Sequence, residues 1–333
     1  MLKAGKLDSD LLKSLVFNKI TYRSDEVKVR PGIGEDCAVM DFGQYECVMS
    51  TDPISSAVSD IGRLAIHITC NDIASNGVQP LGIMLAVMLP EGTTEDDVEH
   101  IMGQAAETAG ELKVEIIGGH TEITPAVKQP VIVSTAIGKT PEGTSQSGDN
   151  MTEGDYIMIT KSVGLEGTGI IASDYGDKLE DVLTGEELEN ARGFLNMVSV
   201  VPEGVAAGRV GTHGMHDITE GGILGAVWEM CQIAGKGAEI WYDSIPVRPE
   251  VRKVSEFFDI NPMRLISSGS MVVIVPEDRK EKMEAAMKAA GVECSIIGRV
   301  MKTDFGVRLL KDGELSEIDP PYADEIYKVV GNQ

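Results

Sequence analysis

The sequence has few cysteines and few basic residues, and each shortage excludes a class of protein. Its five cysteines form no Cys-x-x-Cys pair and are odd in number, which argues against a disulfide framework or a cysteine-rich zinc site. Lysine and arginine total 29 against 53 acidic residues, so the net charge is −24. A surface this acidic repels phosphate backbones and anionic lipid. We therefore expect no binding to nucleic acid and none to a membrane surface.

Long apolar runs are also absent from the sequence. Residues 84–89 and 271–275 are typical of the runs that are present, whereas a helix that spans a bilayer needs ~18 apolar residues. The N-terminal residues 1–6 lead into a charged stretch without the apolar core of a signal peptide. These features predict a cytoplasmic protein.

The length and composition are those of a folded protein with two domains. The chain has 333 residues, and a typical domain has ~150 residues. Hydrophobic residues make up 42% and charged residues 25% of the sequence. Segment 140–149 contains proline, glycine, serine and threonine but almost nothing apolar, which predicts a loop. We place the boundary there, with one domain at residues 1–148 and the other at 149–333.

Strands and helices alternate along the predicted structure, which indicates an α/β fold. A short strand at 46–51 ends in Asp52, and Asp60 can cap a helix that runs to about Asn76. Residues 81–89 are continuously apolar, so we expect a strand that is covered on both faces. The other predicted strands are 114–117, 131–137, 156–160 and 271–275, and the other predicted helices are 94–112, 166–173, 185–194, 222–234 and 278–290.

Three familiar motifs fail at a required position. Gly138-Lys139-Thr140 resembles the end of a P-loop, but Ser134 stands where that motif needs glycine. Gly32-Ile33-Gly34 begins a dinucleotide fingerprint whose third glycine is replaced by Cys37. His213 and His216 are three residues apart with no cysteine or further histidine near, so a turn is favoured over a zinc site.

Three aspartates form the most informative constellation. Asp72 continues the apolar stripe of Ile61, Ala65 and Ile68, so its carboxylate faces inward and needs a partner or a metal ion. Asp52 ends a predicted strand and Asp36 follows two glycines, and both are positions where ligands bind. Alone, the three residues could be a loop cap, an Asx-turn and a turn aspartate. Together they are the oxygen ligands that hard cations take.

Two glycine pairs are candidates for anion binding. Gly118-Gly119 follows the strand 114–117, and we expect a tight turn whose N–H groups suit phosphate, a simple turn being the alternative. Gly221-Gly222 opens the helix 222–234, and a helix N-terminus is an anion site. An acidic protein that binds an anion near carboxylates needs a bridging cation, and Mg²⁺ with a nucleotide phosphate meets that need.

Four segments of the first half resemble the N-terminal domain of the aminoimidazole ribonucleotide synthetase (PurM-like) superfamily. They are GIGEDCAV at 32–39, STD at 50–52, NDIASNGVQPL at 71–81 and GGHTEI at 118–123. HDITEGGILGAVWEM at 216–230 is similar to the helix motif of the superfamily's C-terminal domain. The GGHTEI and TEGGILGA segments resemble the HypE-like hydrogenase maturation proteins in particular.

The resemblance implies an ATP-dependent enzyme with two α/β domains. The N-terminal domains of two copies would pair around a shared β-barrel, which makes a homodimer. Mg²⁺ and ATP would lie in the cleft, with the metal on the aspartates that match Asp36, Asp52 and Asp72. The γ-phosphoryl group would pass to a carbonyl or amide oxygen, or to a related acceptor, which is a small molecule or is borne by a protein. Maturation-pathway proteins would be further partners.

The resemblance also assigns individual roles. Residues that would contact the nucleotide are Gly34, Thr51, Asn71, Gly118, Gly119, His120 and Thr121. Residues with a catalytic role would be Asp72, Asp217, Glu220 and Lys161. For Lys161 a phosphate contact stands beside the alternative of a solvated lysine at a strand end. For Cys37 a small buried residue is favoured over a nucleophile.

Two other functions stay open at this point. HypE proteins end in a Pro-Arg-Ile-Cys tail, whereas the last cysteine here is Cys294, so the acceptor is unknown. The first alternative is a small-molecule kinase of the thiamine-monophosphate kinase type, although His120 stands where that kinase commonly has aspartate. The second is a nucleotide-binding maturation scaffold without turnover, against which the three retained aspartates argue.

Overall fold

The computed structural model describes residue 7 and residues 9–55, 58–146 and 148–330. Residues 1–6, used above to argue against a signal peptide, lie outside this part of the chain. The first half contains the elements α1 (Ser9–Leu15), β1 (Val27–Val29), β2 (Ala38–Asp41), β3 (Tyr45–Ile54), α2 (Ile61–Ser75), β4 (Pro80–Leu89), α3 (Glu95–Leu112), β5 (Glu115–Ile123) and β6 (Val131–Pro141). No described helix is long and apolar enough to cross a membrane.

The first sheet has six strands in the order β1-β2-β3-β6-β4-β5. Neighbouring strands are antiparallel except for β4 and β5, which are parallel. α2 packs across one face, against β3 and β6, and buries Ile66 and Ile73 with Val48 and Ala136. Of the predicted stripe, Ile61 and Ala65 are buried and Ile68 is only half-buried, so the face towards the sheet is turned from the predicted one. Asp72 is buried as predicted and bonds Ser50 of β3.

Within a single chain the strand β4 is covered on one face only, so cover on its other face stays a prediction. Leu81 is 51% exposed and Met84 is 40% exposed, while Ile83 and Leu85 are buried under α2 and α3. The residues alternate between the two faces, and the apolar run arises because the outer face is also apolar. Ile117 and Ile123 of β5 are exposed as well.

The pair Gly118-Gly119 lies within β5 and does not form the expected turn. The pairing of β4 with β5 shifts register between Ile83 and Met84, which brings the two backbones together. A Cβ atom on Gly119 would collide with the carbonyl oxygen of Leu85, and the residue has φ of +152°. The glycine is required for this close approach.

The second half contains the remaining elements. They are β7 (Tyr156–Thr160), α4 (Leu165–Asp174), α5 (Gly176–Leu179), α6 (Gly185–Gly193), α7 (Val201–Val210), β8 (Met215–Asp217), α8 (Gly222–Ala234), β9 (Gly237–Trp241), α9 (Pro249–Phe258), β10 (Met271–Val275), α10 (Lys280–Ala289), β11 (Cys294–Met301), β12 (Val307–Lys311), β13 (Glu314–Glu317) and α11 (Tyr327–Val330).

The second sheet has seven strands in the order β13-β12-β9-β11-β7-β10-β8. It is antiparallel except for β9 and β12. β10 is buried along its whole length between β7 and β8, as the apolar sequence predicts. One face of the sheet carries α7 and α10, and the other carries α8. The predicted α/β class is therefore confirmed, with one sheet in each half of the chain, and the first sheet of a single chain is open and forms no closed barrel.

The two halves meet where α2 packs on α7. A Cβ atom on Gly204 of α7 would collide with the carbonyl oxygen of Ala74, and one on Gly208 would lie 2.5 Å from Cα of Gly77. The two backbones are thus in direct contact. The chain passes from the first sheet to the second between Pro141 and Tyr156, and the boundary at residues 148–149 stays a prediction.

Candidate active site

Ser50 and Asp72 join the first sheet to the helix above it. Residues 50 and 52 lie on the same face of β3 because side chains alternate along a strand, and this face is turned towards α2. The hydroxyl of Ser50 donates a hydrogen bond to Oδ2 of Asp72 at 2.5 Å. β3 continues to Ile54, so Asp52 lies within the strand and not at its end as predicted. The pairing with β6 extends the strand, since Asp52 faces Ser134 in a ten-residue ladder.

The carboxyl group of Asp72 is the most strongly perturbed group of this region. Its residue is 7% exposed. Burial raises its pKa well above the usual range, and the neighbouring carboxylates of Asp217 and Asp52 raise it further. The group is thus held close to other negative charges with little water to screen them. A bound cation would relieve both the burial and the repulsion.

Asp36 and Asp217 bring further carboxylates to the same place from opposite halves of the chain. Asp36 lies in the loop before β2, and the buried Asp217 ends β8 opposite Met271. One ligand atom from each of Asp36, Asp217 and His216 lies within 4.8 Å of the other two. The first half supplies Asp36, Asp52 and Asp72, and the second supplies Asp217. The predicted site is thus assembled between the halves.

Cys37 lies beside the aspartates but does not have the environment of a nucleophile. It is buried and makes no disulfide. Burial raises the pKa of its thiol well above the ordinary value, and the carboxylates of Asp72 and Asp36 raise it further. The protonated thiol is a poor nucleophile. The structure thus favours the small buried residue over the reactive one.

His216 lies with Asp36 and Asp217, although no role was predicted for it. Its Nε2 lies 3.6 Å from Oδ1 of Asp36 and 3.5 Å from Oε2 of Glu229. Burial lowers its pKa, but the carboxylates of Asp36, Glu229 and Asp217 outweigh that effect and raise it to about 10. In the sequence, the position of His216 directly before Asp217 is the one feature that indicates its place beside the aspartates. No feature of the sequence around Glu229 indicates its place, because only the tertiary fold brings α8 to Asp36.

The protein itself uses the ammonium group of Lys161, which argues against the predicted contact with a phosphate. Its Nζ donates to the carbonyl oxygens of Ser199 and Gly269, both at 2.7 Å, and to Oε1 of Glu203 at 2.5 Å. All three N–H groups of the ammonium are used. The alternative of a solvated lysine is wrong, because the side chain is 14% exposed. The fully buried Glu203 requires this counter-charge.

Asn71 has a structural role, which argues against the predicted nucleotide contact. Its Nδ2 donates to the carbonyl of Val198, and its Oδ1 accepts from the N–H of Val200, both at 2.8 Å. The whole amide is therefore used to fasten α2 to the segment before α7. The adjacent Asp72 turns to the other side of α2 and reaches β3.

The remaining predicted nucleotide contacts do not join the aspartates within one chain. Thr51 is exposed and bonds Thr135 on the opposite face of β3 from Asp52. β5, which contains Gly118, Gly119, His120 and Thr121, is the edge strand and lies three strand positions from β3, a separation of about 14 Å. His120 is exposed and lies 3.3 Å from Glu122. Their nucleotide contacts stay predictions.

Gly34 and Glu220 lie at the two ends of the helix α8. A Cβ atom on Gly34 would be 2.8 Å from Cδ1 of Ile233, so the loop that holds Asp36 rests directly on this helix. Glu220 is exposed at the helix N-terminus, where its charge helps to raise the pKa values of Glu166 and Asp324. It thus belongs to a second acidic group, and its role towards the substrate stays a prediction.

The donor set of the cleft fits a magnesium ion. Asp36, Asp52 and Asp72 offer carboxylate oxygens, which are the ligands that Mg²⁺ prefers. The raised pKa of Asp72 shows that this arrangement is electrostatically incomplete without positive charge. A phosphate group would enter such a cleft only together with a cation.

The fold and this cleft between two α/β halves define a protein of the PurM-like class. Residues 34–140 match the family described as AIR synthase related protein, N-terminal domain, and residues 152–310 match its C-terminal domain. The chain belongs to the AIR synthase-related protein family. The resemblance to this superfamily and to its HypE-like branch is thereby confirmed.

Two relatives and two solved structures are similar to most of the chain. The carbamoyl dehydratase HypE of Azotobacter vinelandii is 31% identical over 278 residues, which cover 78% of this chain and 79% of that protein. A protein of Methanocaldococcus jannaschii that is named for hydrogenase expression and formation is 29% identical. The match covers 98% of this chain and 97% of that protein. A HypE–HypF complex matches with a TM-score of 0.76 and 26% identity, covering 93% of this chain and 99% of that chain. HypE in complex with ATP has the same fold, with a TM-score of 0.74, 24% identity and 97% of both chains covered.

Proposed function

We propose that the protein is an ATP- and Mg²⁺-dependent enzyme of the HypE type. It would transfer the γ-phosphoryl group of ATP to a carbonyl or amide oxygen of its acceptor. The observation that carries this proposal is the convergence of Asp36, Asp52 and Asp72 with Asp217 from the other half of the chain. The similarity to carbamoyl dehydratases named HypE supports the reaction type.

The acidic residues would act by binding and orienting the reactants. Asp36, Asp52 and Asp72 would hold Mg²⁺, which supplies charge neutralisation to the phosphates when it is bound. Ser50 fixes the orientation of Asp72 through its hydrogen bond. Asp217 would face the acceptor from the second half. The reaction then depends on positioning and electrostatics and needs no nucleophile from the protein, which agrees with the protonated thiol of Cys37.

Phosphorylation of a carboxamide oxygen has a clear chemical purpose. The oxygen becomes a phosphate leaving group, and loss of phosphate and a proton turns the carboxamide into a nitrile. ATP would therefore drive a dehydration that is unfavourable alone. A carbamoyl group is the acceptor class that the name carbamoyl dehydratase suggests, and its carrier in the test below is a thiol peptide. The solved HypE–HypF complex supports a protein partner.

We further propose that two copies assemble through the outer face of the first sheet. Leu81 and Met84 of β4 and Ile117 of β5 are exposed there. A contiguous apolar sheet face is a typical surface for association. A second copy would cover it and could close the two open sheets around a common interior.

The test is the conversion of a carbamoylated thiol peptide by the full chain with ATP and Mg²⁺. We expect one ADP per peptide and a peptide product that has lost one water, detected by mass spectrometry. Thiamine monophosphate serves as the competing acceptor. ADP formation with thiamine monophosphate alone would replace the HypE-type assignment by a kinase. Absence of ADP with both acceptors, although ATP binds, would favour the scaffold without turnover.

A further inference from the structure

The imidazole of His216 is held in one tautomer. Its Nδ1 lies 2.6 Å from the carbonyl oxygen of Asp217. A carbonyl oxygen can only accept, so Nδ1 is the donor and carries a proton. Nε2 is then the atom that can offer a lone pair. The side chain is 5% exposed, and Nε2 has no hydrogen-bond partner among residues 9–55, 58–146 and 148–330.

Two carboxylates from different halves of the chain face this buried nitrogen. Oδ1 of Asp36 lies 3.6 Å away and Oε2 of Glu229 lies 3.5 Å away. Both separations are too long for a good hydrogen bond. The two carboxylates attract positive charge to this point, and the raised pKa of His216 expresses that attraction. The charge is supplied either by a second ring proton on Nε2 or by a metal ion that takes the place of that proton.

The distances from Nε2 of His216 to the oxygens of Asp36 and Glu229 agree with the distances between two ligands of one metal ion. Zinc binds imidazole nitrogen and carboxylate oxygen at about 2.0–2.2 Å, so two ligands of a tetrahedral ion are about 3.4 Å apart. A histidine that binds metal through one nitrogen commonly donates its other N–H to a carbonyl oxygen. His216 does this through Asp217. Both the distances and the orientation of the ring thus fit a metal ligand.

The surrounding chain holds the three groups in place. Glu229 projects from α8, and a Cβ atom on Gly34 would be 3.3 Å from Cβ of Glu229. The loop that ends in Asp36 therefore lies directly against the turn of α8 that carries Glu229. His216 is fixed in β8, which pairs with the buried β10. These supports are independent of a bound nucleotide.

We propose that His216, Asp36 and Glu229 form a site for one divalent transition-metal ion of the zinc type. The imidazole nitrogen selects zinc, cobalt or iron over magnesium, which prefers oxygen ligands alone. The site shares Asp36 with the proposed magnesium site and does not use Asp52 or Asp72. The ion would tie the loop of the first half to α8 of the second. The proposal does not rest on the proposed function, because it concerns binding of the metal alone.

The test uses the full chain stripped with EDTA and titrated with Co²⁺ in excess Mg²⁺, without ATP. Cobalt replaces zinc and gives visible absorption bands when nitrogen and oxygen ligands hold it in a site of low coordination number. We expect one Co²⁺ per chain, displaced by Zn²⁺ and not by Mg²⁺. His216→Gln and Glu229→Gln should each weaken Co²⁺ binding by at least about tenfold. His100→Gln, at an exposed histidine of α3, is the matched control and should bind Co²⁺ as the parent does.

Several outcomes would overturn the site. The proposal is wrong if the parent binds no stoichiometric Co²⁺, or if His216→Gln binds it as tightly as the parent. It is equally wrong if Asp52→Asn abolishes binding while Glu229→Gln does not, because the ion would then occupy the magnesium ligands. Should His216→Gln fail to fold, Glu229→Gln decides alone, since this partly exposed side chain is replaced by one of the same shape. Turnover enters none of these measurements, so loss of the proposed activity leaves the result unaffected.

Discussion

Lys161 and Glu203 form an ion pair within the second half of the chain, with 2.5 Å between Nζ and Oε1. Glu203 is fully buried, and Lys161 also binds two backbone carbonyls. Removal of one partner from such a pair leaves a buried charge uncompensated. The pair thus stabilises the second half only as long as both members are present.

We expect Lys161→Met to destabilise the protein by about 3–5 kcal/mol. Denaturant unfolding with and without Mg²⁺-ATP measures the effect. The double variant Lys161→Met, Glu203→Met is the control, and it should recover much of the loss because no buried charge remains. A stable single variant with weakened ATP binding would instead support the phosphate contact that the sequence predicted.

Asp72→Asn should reduce turnover by at least about 100-fold, because asparagine lacks the charge that holds Mg²⁺. The metal-free protein should be as stable as the parent or more stable, since burial and like charges already oppose ionisation of Asp72. Asparagine can still accept the hydrogen bond of Ser50. ATPase rate with Mg²⁺ and thermal melting without metal are the two measurements. Near-normal turnover with lower metal-free stability would show that Asp72 is only structural.

Nucleotide binding should require Mg²⁺. The carboxylates of the cleft and the net charge of −24 repel free ATP, and the cation bridges the two. Calorimetric titration with ATP in Mg²⁺ and in EDTA tests this directly. Equal affinity in both buffers would contradict the bridging ion and leave the acidic cluster without its proposed role.

Leu81→Glu should shift the protein from dimer to monomer. The substitution places a charge in the exposed apolar face that we propose for association, where it would be desolvated on contact. Light scattering at micromolar concentration gives the mass. Leu315→Glu is the control, since Leu315 is also exposed but lies on β13 of the second sheet. A parent that is already monomeric, or a dimer that survives Leu81→Glu, would contradict this interface.

Glu166→Gln should stabilise the protein at alkaline pH. Burial raises the pKa of Glu166 to about 7 from 4.5, with smaller contributions from Glu220 and Asp324. The folded protein favours the neutral carboxyl group of Glu166. Its contribution to the free energy of unfolding is therefore complete below pH ~4.5 and is lost as the pH rises to ~7. The free energy of unfolding of the variant should exceed that of the parent by up to about 3 kcal/mol at pH 8 and should equal it near pH 4. Equal melting temperatures at both pH values would show that Glu166 is not perturbed.

Patterns that repeat within one element were predictable from the sequence. The helix predicted at 222–234 coincides with α8, because glycine stands at both of its ends and its interior is apolar. The inward position of Asp72 also followed from helical spacing. The three aspartates of the first half were found because each stands at a break in an apolar segment, and the structure places them together.

Pairings between distant segments were not predictable. Lys161 has no neighbour in sequence that shows its use by Glu203, 42 residues away. The outer face of β4 gave the same apolar signal as a buried face, since a run of hydrophobic residues does not show what covers it. His216 and Glu229 lie 13 residues apart on β8 and α8, and only the tertiary fold brings both to Asp36.

The contact of α7 with α2 also bears on how a ligand could enter the cleft. At Gly204 and Gly208 the backbone of α7 touches the backbone of residues 74–77, so no side chain separates the two segments at these points. The halves should then move as a single rigid block and not open like a hinge. A ligand would then enter the cleft past the Gly32–Asp36 loop, and this loop would have to move to let it in. The rate of nucleotide exchange would accordingly depend on how firmly that short segment is held against α8.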